Sequence, residues 1–256
     1  MKLCVLSSGS EGNCTYIETK KYKILIDAGS TLKYITEKLS EINVLLSDIN
    51  IILITHAHGD HVNSVGKIYR RYNNDIYMTD KIYEEINPKV KKVITKYLNI
   101  DEFLPALDIK ITPIKTSHDN LDSQGFIVEE DDKSIVYITD TGYINQKYHN
   151  ILKNKNVYIM ESNHDPEKLM EGRKNHHIKN RVVGDVGHLS NQQAAGYLKK
   201  FVGKDSKLII LAHLSKDDND EETALQVLND EFKKDSIKVE NIIIAKQKER
   251  TDLIEV

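Results

Sequence analysis

Four metal-capable side chains fall within six residues at His56-Ala57-His58-Gly59-Asp60-His61, directly after the apolar run Ile51-Ile52-Leu53-Ile54. Imidazole and carboxylate together are the ligand set of a divalent cation site. An apolar, β-branched run this short reads as a strand buried on both faces, so the polar cluster begins where the strand leaves the core. His56 and His58 stand two apart on extended chain and point the same way, which lets both rings reach one ion. Gly59 allows a sharp turn, and Asp60 and His61 beyond it can face a second ion. Solvated loops also carry His and Asp, but packing has no use for three imidazoles and a carboxylate at a strand end.

Two ions need about seven protein ligands and a bridging solvent, so further ligands are expected where other apolar runs end. Three places qualify: residues 110–115 lead into His118 and Asp119, residues 135–138 into Asp140, and residues 208–211 into His213. The elements that would position them follow from periodicity. Strands are expected at 3–6, 15–18, 23–27, 109–115, 125–129, 135–139, 158–161, 208–211 and 242–245. Leu32, Ile35, Leu39 and Ile42 mark one face of a helix over 31–42, and further helices are expected at 62–71, 80–86, 89–98, 191–201 and 221–233. Two sets of strands, each followed by helices, predict an α/β fold in four αββα layers: two packed mixed β-sheets with helices outside. No linker or repeat divides the chain, so residues 1–256 read as a single domain.

Composition narrows the partners. A formal net charge of −3 and a pI near 6.4 exclude a surface that is basic throughout, although local basic patches are compatible with it. Cys4 and Cys14 are the only cysteines, too few for a disulfide framework or a thiolate zinc site, and read as reduced core residues. The first residues lack the apolar length of a signal peptide and no later run approaches a membrane span, so a cytoplasmic location with no membrane partner is expected. Oligomeric state stays open.

Taken in order, Asp27, the His56–His61 motif, His118, Asp140 and His213 resemble the metallo-β-lactamase fold, whose pattern is an early Asp, His-x-His-x-Asp-His, a later His, an Asp and a final His. The match spans residues 1 to about 215. By that resemblance His56, His58 and His118 hold one ion, Asp60, His61 and His213 hold the other, and Asp140 bridges both. Asp27 takes the place of the family's early Asp, which orients ligands without binding metal; such outer partners are worth about 10- to 100-fold in affinity or activity. The donor set suits two divalent ions per chain, zinc or manganese with iron possible, and a water bound between them would have a pKa near about 7.

The fold hosts many hydrolases, so the reaction must be read from other residues. Glu161, at a strand end, and His188, in Gly187-His188-Leu189-Ser190-Asn191, resemble the acidic residue and histidine of the nucleic-acid-cleaving branches. A phosphodiester leaves as an alkoxide that needs a proton, which a carboxylate-held histidine can give. The candidate catalytic residues are thus Asp60, Glu161 and His188. Ser7-Ser8-Gly9-Ser10-Glu11-Gly12-Asn13, Glu161-Ser162-Asn163-His164-Asp165, Gly184 to Asn191 and Ala212-His213-Leu214-Ser215-Lys216 are similar to the YycJ/WalJ group over essentially the whole length. That resemblance implies a DNA-processing phosphodiesterase with 5'-directed exonuclease action. Val186 departs from the group at a slot where a more polar residue is expected. Candidate substrate-binding residues are Ser8 and Asn13 in the Ser/Gly loop, which could form an anion nest, with Asn163, His164, Ser190 and Asn191. Basic residues at 173–181 and at Lys67, Arg70 and Arg71 could meet phosphates or form solvated faces. The alternative is a small-molecule hydrolase of the same fold cleaving a thioester, lactone or cyclic phosphate.

Overall fold

The apolar runs near the N-terminus build one mixed sheet. Its strands are β1 (Lys2–Ser7), β2 (Cys14–Glu18), β3 (Lys23–Ile26), β4 (Ile51–Leu53), β5 (Asp75–Met78) and β6 (Leu98–Asn99). A computed structural model, which describes residues 1–103 and 107–256, divides the chain into two compact units. The first comprises 1–112, 120–123 and 246–256; the second comprises 113–119 and 124–245. The second sheet takes β7 (Lys110–Lys115), β8 (Gln124–Glu130), β9 (Lys133–Ile138), β10 (Val157–Glu161), β11 (Leu208–Ala212) and β12 (Asn241–Ile244), and β13 (Ile254–Glu255) returns to the first.

In the first sheet the order is β13-β1-β2-β3-β4-β5-β6, antiparallel through β3 and parallel from β3 to β6. The short loops after β1 and β2 permit hairpins, whereas β3 to β4 needs a crossover, supplied by the helix Leu32–Ser40. Thr31 caps that helix by accepting the Tyr34 N–H at 3.3 Å, and its Ile35 and Leu39 join Leu25, Ile52, Val65 and Ile68 in the unit's core. Cys4 and Cys14 are free thiols buried in the same core. The second sheet runs β12-β11-β10-β9-β8-β7, with β8 and β9 antiparallel and β9 to β12 parallel. Its core includes Val136, Tyr158, Met160, Ile209 and Leu211 with Ala195, Leu198 and Phe201 of the helix Asn191–Phe201. The helix Glu221–Lys234 begins with Asp220 capping Thr223 N–H and ends on Lys233 and Lys234, both favourable to its dipole.

Both sheets are mixed and carry helices, as the α/β reading required. Several elements differ from expectation. Only Pro88–Lys91 is helical in the stretch 89–98, whose end becomes β6. The helix expected over 62–71 divides into Gly59–Val62 and Val65–Tyr72. Strands β5, β6 and β13 and the helices Pro166–Glu171 and His176–Val183 add to the expected set. Among the described residues no helix is long and apolar enough to cross a membrane.

Candidate metal centre

Both units carry candidate ligands. In the first, β4 takes the chain out of the core, and Asp27 follows β3 in the left-handed region at φ 62° with its amide bonded to Leu53 O. That backbone aims a wholly buried carboxylate at the histidine motif. Asp27 Oδ1 accepts Thr55 N–H at 2.9 Å, and Oδ2 accepts the Thr55 hydroxyl at 2.8 Å and His61 Nδ1–H at 2.7 Å. The Thr55 hydroxyl has given its hydrogen to Asp27, so its oxygen accepts His56 Nδ1–H at 3.0 Å. Asp27 therefore orients His61 directly and His56 through Thr55, and in both rings leaves Nε2 as the unprotonated nitrogen. Burial pushes the Asp27 carboxyl up, against the opposing charge and hydrogen bond of His61. The rings of His56 and His58 lie 4.7 Å apart and those of His56 and His61 4.0 Å.

His58 is the N-cap of Gly59–Val62, a single turn that carries Asp60 and His61. Asn13 Nδ2 lies 2.9 Å from His61 Nε2 and donates to Asp60 Oδ2 at 3.3 Å, while Asn13 N–H is bonded to Asp60 O. Gly29 is needed at this crossing: a Cβ there would stand 1.5 Å from the Asp60 carbonyl oxygen. Ser8 is buried with its amide on Lys246 O. Lys67, Arg70 and Arg71 lie on the helix Val65–Tyr72, Lys67 and Arg71 exposed and Arg70 exposed as well at its far end.

In the second unit the candidate ligands again stand just past strand ends. Asp140 follows β9 at φ 54° and His213 follows β11 at φ 57°. His118 donates Nδ1–H to Gly187 O at 3.2 Å, and its Nε2 lies 3.8 Å from Asp140 Oδ1; His213 Nε2 lies 3.5 Å from the same oxygen. Burial lowers the His118 pKa, which favours the neutral, ligating imidazole. Tetrahedral ligands about 2.0 Å from an ion stand roughly 3.3 Å from one another, so these separations and this donor set fit a divalent cation. Asp119, next to His118 in the chain, approaches His118 Nε2 at 3.4 Å and is ion-paired with Arg181.

Glu161 ends β10 wholly buried, with four donors on its two oxygens. Oε1 accepts His188 Nδ1–H at 2.7 Å and His213 Nδ1–H at 3.1 Å; Oε2 accepts Thr141 N–H at 3.0 Å and Leu189 N–H at 3.1 Å. Burial resists its ionisation, but the charge and hydrogen bond of His188 and the bond from His213 outweigh that and hold its pKa down to about 2. Donor atoms of Asp140, Glu161, His188 and His213 all lie within 4.8 Å of one another. The His188 side chain keeps 20% of its surface exposed, so it is oriented yet accessible.

Asn163 donates to His213 O at 2.9 Å. His164 is buried, its Nδ1 has no hydrogen-bond partner among the described residues, and burial depresses its pKa to about 4. Ser190 caps Asn191–Phe201 in a capping box with Gln193, and Asn191 is buried and bonded to Ser162 and Asn219. Of the basic run, Lys174 pairs with Asp218, Lys179 donates to Met170 O and Arg181 pairs with Asp119, while His176 and His177 are exposed. Val186 is exposed.

The sequence profile described as the Metallo-beta-lactamase superfamily matches residues 8–213. The chain belongs to the metallo-β-lactamase superfamily. It is 40% identical to "Exodeoxyribonuclease WalJ" of Streptococcus pneumoniae serotype 2 over 87% of this chain and 85% of that protein. It is 33% identical to "Exodeoxyribonuclease YycJ" of Bacillus anthracis over 86% of this chain and 84% of that one. The metallo-β-lactamase fold protein YhfI of Bacillus subtilis superposes with a TM-score of 0.72 at 17% identity, covering 98% of both chains. The chain is therefore a metal-dependent hydrolase of the metallo-β-lactamase fold with His/Asp clusters suited to divalent metal.

Proposed function

We propose that this metallo-β-lactamase-fold chain is a cytoplasmic exodeoxyribonuclease that hydrolyses DNA phosphodiesters with two divalent ions, zinc or manganese, and that residues 1–256 act as one domain. His56, His58 and His118 serve one ion, Asp60, His61 and His213 the other, and Asp140 both, following the order of the motif. Two ions so held would supply a bound hydroxide at neutral pH and offset charge on the phosphate oxygens. Asp27 and Thr55 set the tautomers of His61 and His56. Asp60 is held for its part by Asn13.

The observation that carries the phosphodiesterase reading is the Glu161–His188 hydrogen bond of 2.7 Å. With Nδ1–H fixed on the carboxylate and the side chain 20% exposed, Nε2 of His188 is the nitrogen from which a proton can pass to the leaving alkoxide. A carbonyl hydrolase has less need of this pair, since a metal already stabilises its oxyanion. The relatives named as exodeoxyribonucleases support DNA as the substrate. His164, a buried imidazole with a ring nitrogen to satisfy, is the strongest of the substrate-binding candidates Ser8, Asn13, Asn163, His164, Ser190 and Asn191.

The test is His188→Ala assayed on end-labelled duplex DNA with added manganese or zinc. Turnover should fall by about 10²- to 10⁴-fold with metal content unchanged. Near-normal turnover would remove His188 from the mechanism, and hydrolysis of a thioester without any DNA product in the wild type would reverse the choice of substrate.

A further inference from the structure

Asn219 stands outside every motif, yet its amide joins the segments that hold His188 and His213. Its Nδ2 lies 2.9 Å from Ser162 O, 3.1 Å from Asn163 O and 2.9 Å from Asn191 Oδ1, two hydrogens serving three acceptors. In return Asn191 Nδ2 donates to Asn219 Oδ1 at 2.9 Å, closing a reciprocal amide pair, and the Ser162 hydroxyl donates to Asn191 Oδ1 at 2.7 Å. All four residues are buried, Asn191 and Ser162 at 1% exposure and Asn163 and Asn219 at 7% and 8%.

Asn163, held by the pair, carries the connection on to both histidine segments. Asn163 Nδ2 donates to His213 O and its backbone N–H to Leu189 O, each at 2.9 Å, so one asparagine is tied to the ligand and to the neighbour of the acid. Asn191 begins the helix just beyond His188. The histidines need this support because their contacts with Glu161 fix ring direction, whereas the peptides that carry them lie in loops. His213 in particular sits at φ 57°, a conformation that persists only where its surroundings impose it. A cap for Glu221–Lys234 does not explain the pair, because Asp220 caps that helix with its own carboxylate.

We infer that Asn219 is a positioning residue which, through its amide pair with Asn191, locks the His188 and His213 segments together as one frame. The inference rests on the reading of His188 as acid and His213 as ligand. Its chemistry is specific: Asn219→Ala withdraws the donor from three oxygens, and Asn219→Asp puts a carboxylate against them.

The experiment compares Asn219→Ala, Asn219→Asp and the milder Ser162→Ala in the full chain. It measures kcat and KM on end-labelled DNA, retention of zinc against a chromophoric chelator, and the melting temperature. For Asn219→Ala the expected result is a fall in kcat of about 10- to 100-fold with KM moved less than about threefold. Zinc should be lost to the chelator at roughly tenfold lower chelator concentration. In a His188→Ala background the further fall in kcat should shrink to about threefold or less, because a displaced acid matters only while the acid is present. The inference is overturned if folded Asn219→Ala keeps both kcat and zinc retention within about twofold of wild type. It is equally overturned if the loss follows only the unfolded fraction and vanishes well below the melting range. Should the Asn219 variants not fold, Ser162→Ala carries the test, with an expected fall of about threefold to tenfold and the same refuting outcome. A wild type that cuts no DNA refutes the substrate reading alone, and zinc retention still decides the role of Asn219.

Discussion

Replacing Glu161 by Gln changes almost no volume and isolates what the carboxylate does. The wild-type side chain is a four-fold acceptor: two imidazole N–H groups on Oε1 and two backbone N–H groups on Oε2. A glutamine has one acceptor oxygen. If its oxygen faces His188 and His213, its NH2 group faces the Thr141 and Leu189 amides; if reversed, it faces the two imidazoles. Either orientation leaves two donors opposed to a donor inside a fully buried pocket. An unsatisfied buried donor costs about 1–3 kcal/mol, so two cost roughly 2–6 kcal/mol, and the negative charge that held the imidazoles is gone as well. If about half of that falls on the reaction barrier, kcat/KM drops by roughly 10- to 10²-fold, since about 1.36 kcal/mol is a factor of ten.

The assay is digestion of end-labelled duplex DNA by Glu161→Gln, His188→Ala and the double variant, with metal per chain measured on each. Because Glu161 orients the acid through His188, the double variant assayed at saturating metal should be little worse than His188→Ala alone. Because it also holds His213, Glu161→Gln should retain metal less well than His188→Ala does. A Glu161→Gln enzyme with kcat/KM within about threefold of wild type and undiminished metal would refute the reasoning.

Asp27→Asn should keep the backbone, since Asn tolerates the left-handed region as Asp does, but weaken metal retention about 10- to 100-fold in chelator competition; unchanged retention would show that the charge on Asp27 does not matter. Tyr158 makes stability alkali-sensitive: burial raises its pKa from the usual 10 to about 12, so the folded state binds its proton more tightly and its contribution, complete below pH 10, is lost as pH rises toward 12. Denaturant titrations should show that slope between pH 10 and 12 in wild type, and Tyr158→Phe should lower stability at neutral pH while removing the Tyr158 part of the slope. Removing metal with a chelator should lower the melting temperature and restoring zinc should raise it in proportion to the logarithm of its concentration, and a melting point indifferent to metal would count against a folded-state ion site.

The candidate ligands can be picked out in sequence because they obey a local rule: each stands where a short apolar run ends, and an apolar run ending in His or Asp is visible without knowing what lies beside it. Their supports are not, because a hydrogen-bond partner is chosen by chains returning from far away. Thr55 reads as the polar end of a strand, and only the approach of Asp27 makes it the relay to His56. Asn219 reads as one of several polar residues in Ser215-Lys216-Asp217-Asp218-Asn219-Asp220, with nothing local to separate it from its neighbours. Motif order pairs Glu161 with His188 alone, and its second bond to His213 depends on β10 and β11 being parallel neighbours in register, Glu161 opposite Ala212. Helix periodicity over 89–98 misleads for a related reason: after Lys91 the segment departs from helix, and Leu98 is drawn into pairing with Tyr77 at the edge of the first sheet. In the basic run 173–181 composition could not show that Lys174, Lys179 and Arg181 engage protein partners from elsewhere in the chain.

Asp27, Asp140 and His213 share one backbone device that composition cannot reveal. Each stands at the carboxyl end of a strand with a parallel neighbour, and each turns into the left-handed region, at φ 62°, 54° and 57°. That conformation costs a non-glycine residue about 1–3 kcal/mol, and Asp and His are among the few types that enter it with some frequency. The turn is what redirects a side chain at a strand end, where the alternation of an extended strand would otherwise fix its direction. Hydrogen bonds from neighbouring segments sustain the strain: Asp27 is held by Leu53, Thr55 and His61, and His213 by Glu161 and Asn163. The supporting asparagine and glutamate residues are therefore not interchangeable with the ligands in a mutational scan. Loss of a ligand removes a donor atom, so metal binding should be lost and with it the stability that bound metal confers. Loss of a support removes hydrogen bonds that sustain the strained turns, so the metal-free protein itself should lose stability along with metal affinity.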